Sequence, residues 1–194
     1  KYDAKFLKFN LERIGFKVYE LDNGKQHNLT KKVSITIFAA DNCNPEICSK
    51  FLGCAPMESN FQSTQIDSLA VISDGKNNIL NLNDCPYEIS NDAINAVMKK
   101  FGFIDFMLVG YCGAGPYPQC FEMNNQSMIK AAESKKNHFL NLGLKFIKKI
   151  QPKFYMPFAG TYVLGGSLSH LNKYRGIPEL DEALDYYISE TRDI

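Results

Sequence analysis

Asp84 is the first residue of this sequence whose type and position could support chemistry. It ends the stretch "ILNLND", in which alternating leucine and asparagine predict a strand, and Pro86 imposes a bend just beyond it. A carboxylate held at a strand end is a ligand that divalent cations prefer. The same residue is also typical of a turn in which its carboxylate accepts hydrogen bonds from nearby backbone amides. The residues alone leave both interpretations open.

The second candidate is the stretch "YCGAGPYPQCF" at 111–121, which follows an apolar run predicted to be a buried strand. Gly113 and Gly115 would let a ligand approach the backbone closely, and Tyr117 offers an aromatic face for stacking. The pattern is not a dinucleotide fingerprint, because Pro118 stands where the third glycine would be. A rigid turn that binds nothing is the alternative interpretation.

The third candidate is "KFYMPFAGTY" at 153–162, a short predicted strand that runs into small and aromatic residues. Lys173, in the polar stretch that follows, could bind a phosphate, although lysines in such stretches are usually solvated. The predicted ligand-binding set therefore consists of Gly113, Gly115, Tyr117, Phe158, Gly160, Tyr162 and Lys173.

The order of predicted elements indicates how these stretches are positioned. Strands are predicted at 16–21 and 32–40, a hairpin at 68–84 around Asp74-Gly75, and a helix between Ser90 and Gly102. A strand at 103–110, a helix at 127–150, a strand beginning at 153 and a final helix with Pro178 in its first turn follow. This alternation predicts an α/β fold, a mixed β-sheet layered with helices, whose sites lie where strands end.

Length and composition narrow the class of protein. A chain of 194 residues with 45% hydrophobic and 22% charged residues is predicted to form a single domain, 1–194, with a cysteine-containing loop at 41–65. The formal net charge of +1 provides no global field for nucleic acid or an anionic membrane. Since no apolar run is long enough to span a bilayer, the expectation is a soluble, cytoplasmic protein.

The cysteines and histidines do not decide whether the chain binds a metal ion or an iron–sulfur cluster. Cys43, Cys48 and Cys54 are spaced C-x4-C-x5-C, unlike a zinc knuckle, so a metal or iron–sulfur site, a disulfide pair and an unlinked loop are all considered. The histidines are isolated in sequence, and a complete histidine-rich metal site cannot be built from this chain alone. They are His27, His138 and His170.

Three stretches together resemble the second half of the metallo-β-lactamase-like domain of CMP-N-acetylneuraminate hydroxylase and its bacterial relatives. They are "SLAVISDGKNNILNLNDCP", "IDFMLVGYCGAGPYPQCF" and "LKFIKKIQPKFYMPFAGTY", with "QPKFYMPFAG" the most specific. The resemblance covers roughly residues 66–175. It implies an αββα fold of which this chain supplies an incomplete domain that lacks its N-terminal half, a view that fits a chain beginning at Lys1 rather than Met.

The resemblance also implies a function. In the wider superfamily, an upstream H-x-H-x-D-H motif, an aspartate at a hairpin end and a final histidine form a two-metal centre, and Asp84 matches that aspartate by position. Phe158 and Ala159 stand where the final histidine is expected. The implied protein is a portion of a metal-dependent hydrolase or oxygenase-related enzyme acting on a sugar nucleotide or phosphorylated sugar, with zinc or iron held only together with upstream ligands. The alternative is a non-catalytic ligand-binding or assembly module that retains the fold.

Overall fold

A computed structural model describes residues 5–40 and 67–192 of the chain, which divides into two compact units, Lys1–Asp105 and Phe106–Ile194. The loop predicted at 41–65 lies outside the described residues, and so do Cys43, Cys48 and Cys54. None of the described helices is long and apolar enough to cross a membrane.

The first unit contains a run of antiparallel strands. Helix α1 (Lys5–Arg13) precedes β1 (Gln26–Asn28), β2 (Ser34–Ala39), β3 (Ser68–Ser73) and β4 (Asn78–Asn81), and each strand pairs with the next. The β3–β4 hairpin predicted around Asp74-Gly75 is confirmed. The Asp74 carboxylate accepts hydrogen bonds from the amides of Lys76 (2.9 Å) and Asn77 (2.7 Å), which fixes the turn.

The strand predicted at 16–21 is wrong, because residues 16–21 have no regular secondary structure and the first strand begins at Gln26. The apolar positions of this stretch are not buried: Phe16 is 61% and Tyr19 60% exposed. An alternating pattern forms a strand only where one face is covered, and here the large residues remain in solvent.

Helix α2 (Asn91–Phe101) follows a 3-10 turn at Tyr87–Ile89 and has the bounds that the sequence predicts. It buries Ala93, Ile94 and Val97, the positions that a helical apolar stripe predicts. Gly102 ends the helix with φ of 73°, a left-handed conformation that glycine adopts without steric cost.

The second unit is built on two parallel strands, β5 (Phe106–Gly110) and β6 (Phe154–Phe158), joined through the 26-residue helix α3 (Asn125–Ile150). The Asn124 side chain caps α3 by accepting from the Ser127 amide at 2.8 Å. A 3-10 segment, Gly166–Tyr174, and helix α4 (Leu180–Glu190) complete the unit. Helix α4 begins two residues after Pro178 rather than with that proline in its first turn.

The core of the second unit lies between its strands and helices. Helix α3 contacts β5, and α4 contacts both β6 and α3. The buried side chains that form this core are Met107, Val109, Leu140, Leu144, Phe146, Ile147, Ile150, Ala183 and Tyr187. The strands pair antiparallel in the first unit and parallel in the second, and each unit combines its strands with helices. The predicted α/β fold class is thereby confirmed.

Candidate functional site

The ends of β5 and β6 lie at one rim of the second unit. The strands are parallel and Gly110 pairs with Phe158, so the loops that follow them, including 111–121 and 159–165, leave the sheet side by side. Two of the three strand ends predicted to carry a site are therefore neighbours. The third, after β4, belongs to the first unit, and the prediction that it joins them stays a prediction.

The buried Gln119 forms hydrogen bonds that fix the loop after β5. Its side chain is only 3% exposed, and its Nε2 donates to the Gly115 carbonyl and to the Tyr162 hydroxyl, both at 3.0 Å. The Gly115 carbonyl fixes which end of the amide carries the nitrogen, because only the NH2 group can donate to it. Gln119 thus links the loop after β5 to the loop after β6.

Lys135 of helix α3 also forms hydrogen bonds with this loop. Its Nζ donates to the carbonyls of Tyr117 (2.8 Å) and Gly115 (3.2 Å) and, at a longer 3.4 Å, to the Tyr162 hydroxyl. Burial lowers the pKa of Lys135, since desolvation disfavours the ammonium, and the nearby Cys112 opposes this effect.

Tyr162 is the point at which these contacts meet. The Arg175 guanidinium lies 5.9 Å from its ring centroid, donates to its backbone carbonyl, and reaches Glu179 at 3.7 Å. Burial raises the pKa of the Tyr162 hydroxyl, and the bond from Gln119 works against that rise. The phenol therefore stays protonated, with its oxygen surrounded by donors.

A cavity of about 420 Å³ opens between the loop after β5 and helix α3, and we call it the loop–helix cavity. Ser134 with His138, and Lys135 with Phe139, are spaced i and i+4 on α3 and so face the same side of the helix. The lining residues are Gly115, Pro116, Tyr117, Ser134, Lys135, His138 and Phe139.

Two of the predicted glycines are used for close packing against aromatic rings. A Cβ at Gly113 would lie 2.2 Å from the Phe139 ring, and one at Gly160 would lie 2.0 Å from the Tyr111 ring. Neither ring would keep its position if an alanine replaced the glycine. Gly115 and Tyr117, in contrast, line the loop–helix cavity.

The remaining predicted ligand residues lie outside the cavity lining. Phe158 ends β6 and is 37% exposed, and Ala159 follows with φ of 51°. Lys173 is exposed in the 3-10 segment, with its Nζ 4.8 Å from the Tyr174 ring centroid. A direct ligand role for Phe158, Gly160, Tyr162 and Lys173 stays a prediction.

Asp84 is exposed in the turn that follows β4. Desolvation raises the pKa of Asp67, and the negative charge of Asp84 adds to that rise, so two carboxylates lie within electrostatic reach of each other. In residues 5–40 and 67–192, however, there is no group of three or more His, Cys, Asp or Glu side chains that could hold a metal ion. A metal role for Asp84 would require ligands from elsewhere.

The sequence prediction missed the residues that shape the cavity. Gln119, Lys135 and Arg175 act on Tyr162 across separations of 43, 27 and 13 residues, and no local pattern marks such contacts. One sequence signal could have identified part of the cavity. Helix α3 follows the glycine-rich loop, and its polar and aromatic residues spaced i and i+4 lie on one face.

No family model matches the chain. It is 27% identical over 108 residues to proteins of Mycobacterium tuberculosis, from strains CDC 1551 / Oshkosh and ATCC 25618 / H37Rv, that are named as Rieske 2Fe-2S iron-sulfur proteins. The match covers 55% of this chain and 20% of those relatives. The chain thus spans about a fifth of their length.

Among solved structures, the fold is similar to CmlA, a diiron beta-hydroxylase from Streptomyces venezuelae, with a TM-score of 0.52 and 12% identity. The similarity covers 96% of this chain and 34% of that one. The E377D mutant of the CmlA beta-hydroxylase matches with a TM-score of 0.49 and 13% identity over 96% of this chain and 33% of that one.

These comparisons confirm part of the sequence interpretation and correct another part. The predicted mixed α/β fold is confirmed, and its metallo-β-lactamase-like type stays a prediction. The resemblance to CMP-N-acetylneuraminate hydroxylase is wrong, because the similar structures are CmlA and the sequence relatives are Rieske proteins. The three stretches that carried the resemblance each contain a strand and its end, a pattern that a shared fold produces without a shared substrate.

Proposed function

We propose that this chain is part of a metal-dependent, oxygenase-related enzyme, in which the second unit supplies a substrate-binding cavity. One observation carries the proposal: the sequence relatives and the structural neighbour are both named for iron, as a Rieske 2Fe-2S protein and a diiron hydroxylase. The loop–helix cavity lies beside the shared rim of β5 and β6, where sites of α/β sheets are commonly found.

The described residues do not by themselves fit an iron centre. They contain no group of three or more candidate ligands, whereas an iron site of this class needs several carboxylate or imidazole groups. We propose that the ligands come from residues outside the described ranges, upstream residues among them, with Asp84 as the contribution of the first unit. No reaction step is assigned to any described side chain on that basis.

A sugar-nucleotide substrate gains no support from the cavity. Its lining offers one ammonium group, Lys135, and no guanidinium. Phosphate groups of nucleotides are normally held by several cations or by a row of backbone amides. The apolar walls provided by Tyr117 and Phe139 suit a less charged ligand.

The test is to purify the full-length native protein and to measure its metals and its reaction with dioxygen. The proposal predicts iron at one or more atoms per chain, and dioxygen consumption after chemical reduction that apoprotein does not show. Stoichiometric zinc with no dioxygen consumption would contradict it and would favour a hydrolase. A protein without the metal-dependent reaction would contradict it too.

The lack of a ligand cluster in the described residues favours a second candidate, a non-catalytic binding module that keeps the fold. This candidate predicts full-length protein that binds a small molecule in the loop–helix cavity while holding no stoichiometric metal. The same metal analysis, combined with a binding measurement, separates the two.

A further inference from the structure

We infer that the loop–helix cavity binds the carboxylate of an apolar organic acid. Lys135 of the lining supplies the charge, and Tyr162, which is not part of the lining but has its hydroxyl 3.4 Å from Lys135 Nζ, supplies a hydrogen-bond donor. The inference rests on the proposed function only where it makes that acid a substrate. Binding itself depends on the described residues of the second unit alone.

No carboxylate in the described part of the chain balances the charge of Lys135. Its Nζ contacts two carbonyl groups and one phenol, which are dipoles, and no described carboxylate lies within ion-pair distance. Its neighbour Lys136 shows the contrast, with Glu182 at 2.7 Å and Glu133 at 3.2 Å. A half-buried ammonium without an anion is costly, and a bound carboxylate would relieve that cost.

The Tyr162 hydroxyl has a hydrogen left to donate. Its oxygen accepts from Gln119 Nε2 at 3.0 Å and from Lys135 Nζ at 3.4 Å, which uses both lone pairs. No described residue accepts the hydrogen of that hydroxyl. Because two donors polarise the oxygen, its own O–H becomes a stronger donor, as cooperative hydrogen bonding predicts. A carboxylate oxygen next to Lys135 is the acceptor that fits both groups.

The rest of the cavity suits an apolar body. Tyr117 is 45% exposed and packs edge-on against Phe121, with ring centroids 5.5 Å apart. Phe139 forms the facing wall from helix α3. The volume of about 420 Å³ exceeds the roughly 150 Å³ that holds one benzene ring, so a bicyclic ring with one acidic group fits. The lining also contains Ser134 and His138, and its single ammonium matches a carboxylate monoanion better than a phosphate dianion.

The experiment titrates full-length protein with 2-naphthoate, the probe, and with the neutral 2-naphthamide. These 194 residues contain no tryptophan, so they add no indole emission to the naphthalene fluorescence. We expect 2-naphthoate to bind about ten- to a hundredfold more tightly than the amide, the range of a charge-assisted hydrogen bond. Metal removal is expected to leave this binding unchanged, which separates the inference from the proposed function.

Two variants locate the binding. Tyr162→Phe removes only the hydroxyl and is expected to weaken 2-naphthoate about tenfold, and Lys135→Met is expected to abolish the preference for the acid over the amide. Lys130→Met, an exposed lysine on the same helix, is the control and is expected to bind as the wild type does. Circular dichroism checks folding. If Lys135→Met unfolds, Tyr162→Phe still tests the inference.

Three results would overturn the inference. These are equal binding of the acid and the amide, unchanged 2-naphthoate binding in Tyr162→Phe, and tighter binding of 1-naphthyl phosphate than of 2-naphthoate. The last would identify the site as one for phosphate esters.

Discussion

At the scale of one residue, Gly160 shows why the loop after β6 requires a residue without a side chain. Its absent Cβ leaves room for the buried Tyr111 ring, 2.0 Å from where that atom would lie. Gly160→Ala is expected to lower the free energy of unfolding by about 1–3 kcal/mol, because the ring must move within a packed core. Gly165→Ala, where a Cβ meets nothing within 4 Å, is the control and should change it by less than about 0.5 kcal/mol. Urea denaturation measures both, and equal midpoints for the two variants would contradict the packing role.

Gly113 connects packing to the cavity. A Cβ there would lie 2.2 Å from the Phe139 ring, which lines the cavity, so Gly113→Ala is expected to push that ring out of place. We expect weaker binding of 2-naphthoate by about tenfold, in the range of a displaced aromatic contact, with Gly165→Ala unchanged. Fluorescence titration provides the measurement. Wild-type affinity in Gly113→Ala would show that Phe139 does not form a wall of the binding site.

At this scale the sequence indicated residues of the cavity lining in the loop but not those in the helix. Gly115 and Tyr117 were recognisable because glycine and aromatic residues after a buried strand are typical of a site. Lys135 was not recognisable, since lysines on long helices are usually solvated and its contacts join residues 18–27 positions away. Its role depends on the fold rather than on neighbouring residues.

At the scale of elements, helices α3 and α4 pack closely where the buried Tyr187 of α4 lies against Gly143 of α3. The Tyr187 hydroxyl is buried without a hydrogen-bond partner among the described residues, and a Cβ at Gly143 would lie 2.1 Å from it. Tyr187→Phe is expected to raise the free energy of unfolding by about 1 kcal/mol, because an unpaired buried hydroxyl is costly. Tyr155→Phe, which loses a 3.0 Å bond to Thr191, should lower it by about 1 kcal/mol.

The same tyrosine gives a pH dependence. Burial raises the pKa of Tyr187 above the ordinary value of 10.0, so the unfolded chain releases this proton at a lower pH than the folded protein does. Wild-type stability should therefore fall as pH rises above about 10, the pKa of an unperturbed tyrosine. Tyr187→Phe should lack this contribution, so its stability advantage should grow with pH in urea titrations. A constant difference between pH 8 and 11 would contradict the assignment.

Sequence patterns located most elements but not their exposed connections. The β3–β4 hairpin and helix α2 were predictable because their turns and stops are encoded locally by Asp74, Gly75 and Gly102. The stretch 16–21 alternates like a strand yet stays exposed, and the 3-10 segment Gly166–Tyr174 buries no side chain. Hydrophobic periodicity indicates which side chains are buried, so it cannot identify a segment whose side chains stay exposed.

At the scale of the whole molecule, the chain is a fraction of the proteins it resembles. It spans about a fifth of the Rieske relatives and a third of CmlA. We therefore propose that the second unit binds an organic acid in the loop–helix cavity, and that residues outside the described ranges hold most of the metal ligands. Composition and local pattern could predict the fold class, but not this division, because the ligands and the cavity are not joined by any one stretch of sequence.

The most direct test measures iron per chain in full-length protein carrying Tyr162→Phe or Lys135→Met, alongside 2-naphthoate binding by the same samples. The account predicts iron equal to that of the wild type in both variants, with acid binding weakened in each. Loss of iron from a folded cavity variant, or full binding of the acid in both, would contradict it.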